Sequence, residues 1–370
     1  MIVSRIALSN FLNYSSVAVE FVDGINMIVG ENASGKTNLA DGVLLASIGK
    51  SSRHTKDKEL ISWNSSKGAQ VTLKIKKRFS SHIVDIIIDK DGDKHIAIDS
   101  LPIRRIGELM GVLNVVFFSP SELALVNGTP QDRRRFLNIS LSQQSKVYFY
   151  ALQNYVRLLG ERNKIIKQYK DTSSIQNLIS ITNAPLAREA SILVSERNKF
   201  ISRLSDIARE KHRRLTSNKE DLSITYETNA GTLDDPKTEI LALLEKSYSR
   251  DLRLEHTTIG PHLDDLKIAA NDIDLRKFGS QGQQRTAVLS LKLAEVSLFK
   301  ERTGEAPVLI LDDVMSELDE MRRRSLLESL SNVQTLITCT EPTKEASTGY
   351  GLFKVQNCDI ARCDHHDTEM

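Results

Sequence analysis

Along the chain, the spacing of hydrophobic positions changes twice. Up to about residue 120 it is mostly that of strands. Val17, Val19 and Phe21 alternate with polar neighbours before an Asp23-Gly24 turn, which predicts a hairpin. Ile25 to Val29 is a short apolar strand, Val71 to Arg78 alternates again, and Ile83 to Ile88 leads through Asp91-Gly92 toward Ile96 and Ile98. Between residues 131 and 215 the period becomes helical. Leu152, Tyr155, Val156 and Leu159 share one face, as do Ile192, Phe200, Leu204 and Ile207 further on. Gly160 and Pro185 are the only Gly and Pro in that span. The pattern predicts two long antiparallel helices with a break near Thr182–Pro185, forming an arm because each carries a single apolar seam. After Asn218 strand signals return at Leu222–Tyr226, Leu266–Ala270, Val308–Leu311 and Thr335–Thr338. Helices are predicted from Ile240, over Thr286–Phe299 and over Met321–Leu330. The expected organisation is 1–130 as the first half of a globular head, 131–244 as an inserted helical arm, and 245–370 as the second half of the head.

The composition is compatible with this. A chain of 370 residues, 40% hydrophobic and 26% charged, has room for two or three domains. Fifty Lys and Arg against 48 Asp and Glu give a net charge of +2, which excludes a histone-like protein but not a local basic face. Three Cys, all in the last tenth of the chain, cannot be a disulfide scaffold. The start, MIVSRIALSNF, has no basic region followed by an apolar run, and no stretch approaches 18 uncharged apolar residues. These features lead us to expect a cytoplasmic protein with no membrane partner.

The chemistry is concentrated in three segments. Gly30-Glu31-Asn32-Ala33-Ser34-Gly35-Lys36-Thr37 has the phosphate-loop spacing, with an apolar strand before it and a helix, entered through Asn38, after it. Backbone N–H groups and the helix N-terminus can cradle phosphates there. Lys36 would reach the β- and γ-phosphates of ATP, and the Thr37 hydroxyl would ligate Mg²⁺. Val308–Asp313 is an apolar strand ending in two acids. Asp312 is expected at the Mg²⁺ and Asp313 beside the attacking water. Ser280-Gln281-Gly282-Gln283-Gln284, about 30 residues before Asp312, resembles the signature loop of ATP-binding-cassette ATPases, and Ser316-Glu317-Leu318-Asp319 resembles their D-loop. In that superfamily the signature serine and glycine contact the γ-phosphate held by an opposite subunit, which suits a helix N-terminus facing an anion.

More than 240 residues separate Gly35 from Ser280, and a helical excursion between the halves of such a head resembles the DNA-repair and chromosome-maintenance branch. Within it the chain resembles the RecF family of bacterial recombination-mediator ATPases. The resemblance is carried by Phe11-Leu12-Asn13-Tyr14, Gly49-Lys50-Ser51-Ser52-Arg53-His54, Phe118-Ser119-Pro120, Arg133-Arg134-Arg135-Phe136-Leu137, Gly260-Pro261-His262 with Asp264-Asp265, Phe278–Thr286, and Leu291–Glu295. It implies an α/β, ABC-type ATPase head of mixed sheets with an inserted antiparallel helical arm. It also implies an ATP-dependent homodimer at gapped DNA and single-strand/double-strand junctions, associated with the nucleoid. Such proteins act with RecR and RecO to help RecA load, in gap repair, replication restart and SOS induction, with slow, DNA-stimulated hydrolysis as a release switch. Asn13 and Tyr14 are expected near the adenine or in the core. One position departs from the family: Leu263 stands where an Arg is usual. Thr338-Cys339-Thr340 stands where transporter cassettes carry a switch histidine, so water positioning must differ there. Two other classes share the motifs, an architectural chromosome-binding ATPase and a transporter subunit. The long arm and the missing Q-loop glutamine argue against the transporter.

DNA contacts are expected where positive charge clusters. Residues 131–170 hold nine Lys or Arg and two acids, and residues 196–219 hold eight and three. Lys74, Lys76 and Arg78 alternate on one strand, and Lys50, Arg53, Lys56 and Lys58 lie in a basic loop. Arg133, Arg134 and Arg135 are expected either on DNA or pinning the arm to the head. Cys358, Cys363, His365 and His366 cluster, but without the spacing of a structural zinc site.

Overall fold

The computed structural model describes residues 1–169, 174–231, 234–330, 332–342 and 350–363. His365 and His366 lie outside them. The chain folds as two compact units, one of residues 1–122 with 292–370 and one of residues 123–291.

In the first unit, β1 (Ile2–Phe11) and β2 (Tyr14–Glu20) form a hairpin that turns at Leu12-Asn13. The hairpin expected across Asp23-Gly24 does not form, because β3 (Ile25–Val29) joins a different sheet from β2 and runs into α1 (Lys36–Ile48). β4 (Ala69–Lys76), β5 (Ser81–Ile88), β6 (Lys94–Ile98) and β7 (Leu101–Pro102) complete an antiparallel sheet of order β2-β1-β4-β5-β6-β7. A second sheet begins with β8 (Val115–Phe118). After the excursion through the other unit, the chain returns to it. It adds β12 (Val308–Asp312), β13 (Thr335–Cys339), β14 (Gly351–Gln356) and β15 (Asp359–Cys363), in order β15-β14-β3-β13-β12-β8. That sheet is parallel except for the β14–β15 pair. α1 touches β4 and β5 of one sheet and β8, β12 and β13 of the other. It is therefore apolar nearly all round, with Leu39, Val43 and Leu45 fully buried. Gly42 lets it approach β1, since a Cβ there would meet Leu8 at 3.0 Å. β3 and β12 are adjacent to β13 on either side, so both deliver their C-terminal ends to one edge of the sheet.

The second unit holds the short α2 (Ala124–Asn127), α3 (Pro130–Gln144), α4 (Lys146–Tyr169) and α5 (Ile175–Leu215). β9 (Leu222–Glu227), α6 (Pro236–Lys246) and α7 (Tyr248–Leu254) follow, then β10 (Asp265–Ala270), β11 (Ile273–Asp274) and α8 (Leu275–Phe278). α9 (Gln281–Thr303) starts in this unit and crosses the division at residue 291. α10 (Glu320–Ser329) lies beyond β12.

The expectations for the helical run are corrected. The predicted helical pair is three helices, because Ser145 is extended between α3 and α4. The break near Pro185 is absent, and α5 runs continuously through that residue. Pro185 lacks an N–H, but Ile179, Leu186, Ala190, Leu193 and Val194 are fully or almost fully buried on both sides of it, and this packed stripe holds the helix together. The helices also have more than one seam. α5 packs on α4, α6 and β9, and β9 pairs with β10, so residues 245–291 group with the helices by contact.

Three buried arginines tie this unit together. Arg162 Nη1 donates to Asp251 Oδ2 at 2.8 Å and to the Thr257 hydroxyl at 2.7 Å, with both charged side chains fully buried. Arg197 donates to Asp264 Oδ2, the Pro261 carbonyl, the Tyr148 hydroxyl and Asn138 Oδ1. Arg133 grips Asp265 with two bonds of 2.5 and 2.9 Å. Burial is the largest single influence on Asp265 and opposes its ionisation, but the Arg133 hydrogen bond, the Leu266 N–H and the nearby guanidinium charges together outweigh it and hold its carboxyl below the ordinary range.

Candidate nucleotide site

The phosphate loop lies between β3 and α1, at the edge reached by β12. Gly35 has φ 116°, and a Cβ there would meet Asn13 Nδ2 and Tyr14 Oη, each at 2.8 Å. Tyr14 is fully buried beneath the loop, and its hydroxyl donates to the Gly35 carbonyl at 3.0 Å. Burial raises its pKa, so the phenol stays protonated and remains a donor. Asn13 accepts from Asn38 Nδ2 at 2.7 Å and donates to Cys358 Sγ at 3.1 Å. Tyr14 is thus core packing with a direct bearing on the loop.

Glu31, Asn32 and Ala33 are exposed, and Ala33 has φ 65°, so successive residues alternate hand as in a backbone anion nest. Lys36 Nζ donates to the carbonyls of Gly30 at 2.6 Å and Glu31 at 2.7 Å. The Ser34 hydroxyl is buried and has no hydrogen-bond partner. An orphaned hydroxyl beside a lysine that is satisfied only by loop carbonyls fits a loop built for phosphate oxygens.

Thr37 Oγ1 donates to Asp312 Oδ1 at 2.8 Å, and Thr338 Oγ1 donates to the same oxygen at 2.7 Å. The Asp313 N–H in turn donates to Thr338 Oγ1 at 3.0 Å. Asp313 is left-handed at φ 56°, an unfavourable conformation for a non-glycine residue that these bonds maintain, and it is exposed. A threonine hydroxyl beside a carboxylate is a hard-oxygen set suited to Mg²⁺, which takes few protein ligands and keeps its waters. Among the described residues no group of three or more His, Cys, Asp or Glu could hold a metal. Gly30 donates its N–H to the Cys339 carbonyl, and burial pushes the Cys339 thiol up to about 12, so it is packing here and not a nucleophile.

Two further positions, Arg53 and Asp41, bear on this site although the sequence places neither there. Arg53, expected on DNA, has Nη2 3.4 Å from Asp312 Oδ2 and lines a small cavity with Lys36, Thr37, Asn38 and Asp313. It reaches there because buried Asp41 holds its loop, accepting from the hydroxyls of Ser51 at 2.5 Å and Ser52 at 2.7 Å. The signal for Asp41 was present in the sequence as a lone acid in an apolar helix.

Arg133 is also corrected. It is 2% exposed and gripped by Asp265, so it is not available to DNA. Arg134 is half-buried and donates to the Asp264 carbonyl at 2.8 Å. Both pins lie within the second unit. Burial of Arg133, Arg162 and Arg197 also removes three cations from the basic excess counted along the helical run. Arg135, Lys50, Lys56, Lys74, Lys76 and Arg78 are exposed. Leu263 is 45% exposed beside the buried Pro261.

The signature residues belong to the second unit. Ser280 caps α9: its Oγ accepts from the Gln283 N–H at 3.3 Å, and Gln283 Oε1 accepts from the Ser280 N–H at 3.0 Å. Gln283 Nε2 also donates to Glu220 at 3.0 Å. Ser280, Gln281 and Gly282 are exposed, and a Cβ at Gly282 would meet nothing within 4 Å.

A phosphate loop on a mixed sheet, with paired acids ending the second strand over, defines an ABC-type ATPase head of the α/β class. The model of the RecF/RecN/SMC N terminal domain matches residues 2–361. The chain belongs to the RecF family. It is 41% identical over 364 residues to the DNA replication and repair protein RecF of Clostridium tetani, covering 96% of this chain and 98% of that one. It is also 41% identical over 340 residues to the protein of that name from Lachnoclostridium phytofermentans, covering 92% and 93%. A solved structure of the recombination mediator protein RecF with ATP, in the RecFOR pathway, superposes with a TM-score of 0.90 at 32% identity, over 98% of this chain and 97% of that one. The Smc head of Pyrococcus furiosus shares the fold, with a TM-score of 0.58 at 16% identity over 99% and 97%. No helix among the described residues is long and apolar enough to cross a membrane.

Proposed function

We propose that the protein is an ATP-dependent DNA-binding switch of recombinational gap repair, replication restart and SOS induction. The observation that carries this reading is the 2.8 Å bond between Thr37 and Asp312, residues 275 apart in sequence, at the mouth of a phosphate loop with an unpartnered serine. The names borne by its relatives in the same family supply the DNA context.

In this reading, residues Gly30 to Asn38 cradle ATP, and Lys36 leaves the loop carbonyls for the β- and γ-phosphates. Thr37 and Asp312 would hold Mg²⁺, which neutralises phosphate charge when bound. Asp313, fixed by Thr338, orients the attacking water and accepts its proton. Ser280, Gln281, Gly282 and Gln283 meet the γ-phosphate of a second copy, so ATP binding and homodimerisation are one event. Exposed Lys50, Lys56, Lys74, Lys76, Arg78 and Arg135 contact DNA phosphates without reading bases. RecR and RecO are the partners and RecA loading the outcome, with slow, DNA-stimulated hydrolysis releasing the dimer in the cytoplasm. The organisation we propose for these roles keeps residues 1–130 and 245–370 as the two halves of the head and 131–244 as its insertion.

The test is binding to gapped, duplex and single-stranded DNA, each with and without ATP, scored alongside oligomeric state. ATP-dependent dimers that prefer gapped DNA are expected. Dimerisation on ATP with no DNA preference and no stimulation of RecA loading would overturn the repair reading.

A further inference from the structure

Trp63 is the only tryptophan in the chain, and it is 98% exposed. Its backbone, by contrast, is firmly held. The Ser65 N–H donates to the Ser62 carbonyl at 2.9 Å, which puts Trp63 and Asn64 at the corner of a closed turn. The Ser62 N–H donates to the Asn10 carbonyl at 2.8 Å, and Ile61 pairs with Phe11, so the turn hangs on the end of β1. The Lys67 N–H donates to Ser65 Oγ at 3.1 Å and closes the far side. The other exposed aromatic of this sheet, Phe79, lies under Arg78, whose guanidinium is 4.9 Å from its ring. No ring or cation contact covers Trp63 among the described residues.

The surroundings select the ligand. Residues 50–68 contain five Lys or Arg and two acids. One of those acids, Asp57, is already paired with Lys94 at 2.8 Å. Lys56, Lys58 and Lys67 are exposed in the same loop as the indole. An exposed aromatic face on a firmly held turn, in a loop with an excess of positive charge, fits a nucleic-acid base stacked on the ring, with its phosphates on the lysines. A duplex keeps its bases stacked on one another and offers none to such a face.

We propose that Trp63 is a stacking platform for an unpaired DNA base, flanked by Lys56, Lys58 and Lys67. The proposal rests on the DNA-binding reading above and adds to it a contact specific to single strands. The lysines alone would recognise any phosphate backbone, whereas the indole requires a free base.

The single tryptophan is its own reporter. The intact protein is titrated with oligothymidylate, with an abasic oligonucleotide of equal length and with duplex, following tryptophan emission and, separately, the anisotropy of labelled DNA. Saturable quenching by oligothymidylate alone is expected. Trp63→Ala should weaken single-strand binding by about tenfold and leave duplex binding unchanged, while Trp63→Phe retains most of the affinity. Unaltered thermal melting checks that the exposed substitution leaves the fold intact. Anisotropy showing normal single-strand binding by Trp63→Ala, with emission unmoved in the parent protein, would overturn the platform and leave the DNA reading standing. No binding to any DNA would sink that reading and the platform with it. An emission change that follows protein concentration and not DNA would assign the surface to a second copy and overturn the proposal.

Discussion

Thr338 Oγ1 donates to Asp312 Oδ1 at 2.7 Å and accepts from the Asp313 N–H at 3.0 Å. One hydroxyl therefore orients the carboxylate beside Thr37 and fixes the backbone of the next acid in a left-handed conformation.

Thr338→Val keeps the shape and removes the hydroxyl, leaving Asp312 short of a donor and the Asp313 N–H held only by the Thr338 carbonyl at 3.2 Å. A lost buried hydrogen bond costs about 1–3 kcal/mol, or roughly five- to 150-fold in rate if it is felt in the transition state. Single-turnover ATP hydrolysis should fall by that factor with nucleotide affinity little changed, and Thr338→Ser should restore it. Equal loss of binding and turnover would show that Thr338 acts on the bound ground state.

The shared-site arrangement can be tested by mixing. Lys36→Ala should abolish ATP-dependent dimerisation. Ser280→Arg should bind ATP as a monomer and hydrolyse nothing, because Ser280 would serve the partner's nucleotide. A Lys36→Ala protein mixed with a Ser280→Arg protein should recover hydrolysis through one composite site containing intact Lys36 and intact Ser280. Failure of the mixture to recover, together with normal hydrolysis by Ser280→Arg alone, would place the signature loop outside the reaction.

Arg162 and Asp251 form a fully buried ion pair. Asp251 also accepts from the Thr258 N–H, the Thr258 hydroxyl and the Ser247 hydroxyl. Removing one partner strands the other charge, so Asp251→Ala should cost about 3–5 kcal/mol of stability. Urea titration would measure this, and a loss below 1 kcal/mol would mean that water reaches Arg162 in the variant.

His262 gives this unit a pH dependence. Its Nε2 lies 3.0 Å from the Thr257 carbonyl, so that nitrogen carries the proton and Nδ1 accepts from the Tyr155 hydroxyl at 2.6 Å. Burial lowers its pKa below the ordinary 6.5. Above 6.5 the ring is neutral in both the folded and unfolded states. As pH falls through 6.5 the unfolded chain gains a proton that the folded chain resists, so stability is lost toward the lowered folded value. The denaturation midpoint should fall between pH 7.5 and 5.5, and His262→Gln should flatten the slope. An equal slope in that variant would assign the titration to another histidine.

The chemistry of the nucleotide loop was legible in the sequence because phosphate binding needs consecutive backbone amides, and consecutive residues are what a sequence displays. Gly30 to Thr37, the strand into Asp312 and Asp313, and Ser280 to Gln284 are all of this kind. The apolar strand β3 followed from its run of apolar residues in the same way, whereas Asp23-Gly24 carries the chain from one sheet to another and not through a hairpin. The fate of the charges was not legible. Arg133 reads as one of three adjacent cations, and only the fold brings it to Asp265, 132 residues away, and buries it. Arg53 reads as part of a basic loop, and only Asp41 and the packing of α1 carry it to Asp312. Pro185 reads as a helix end, yet the packed stripe of α5 carries the helix through it. Local chemistry is fixed by neighbours in sequence. Whether an arginine faces water, a carboxylate or DNA depends on partners that only long-range packing supplies.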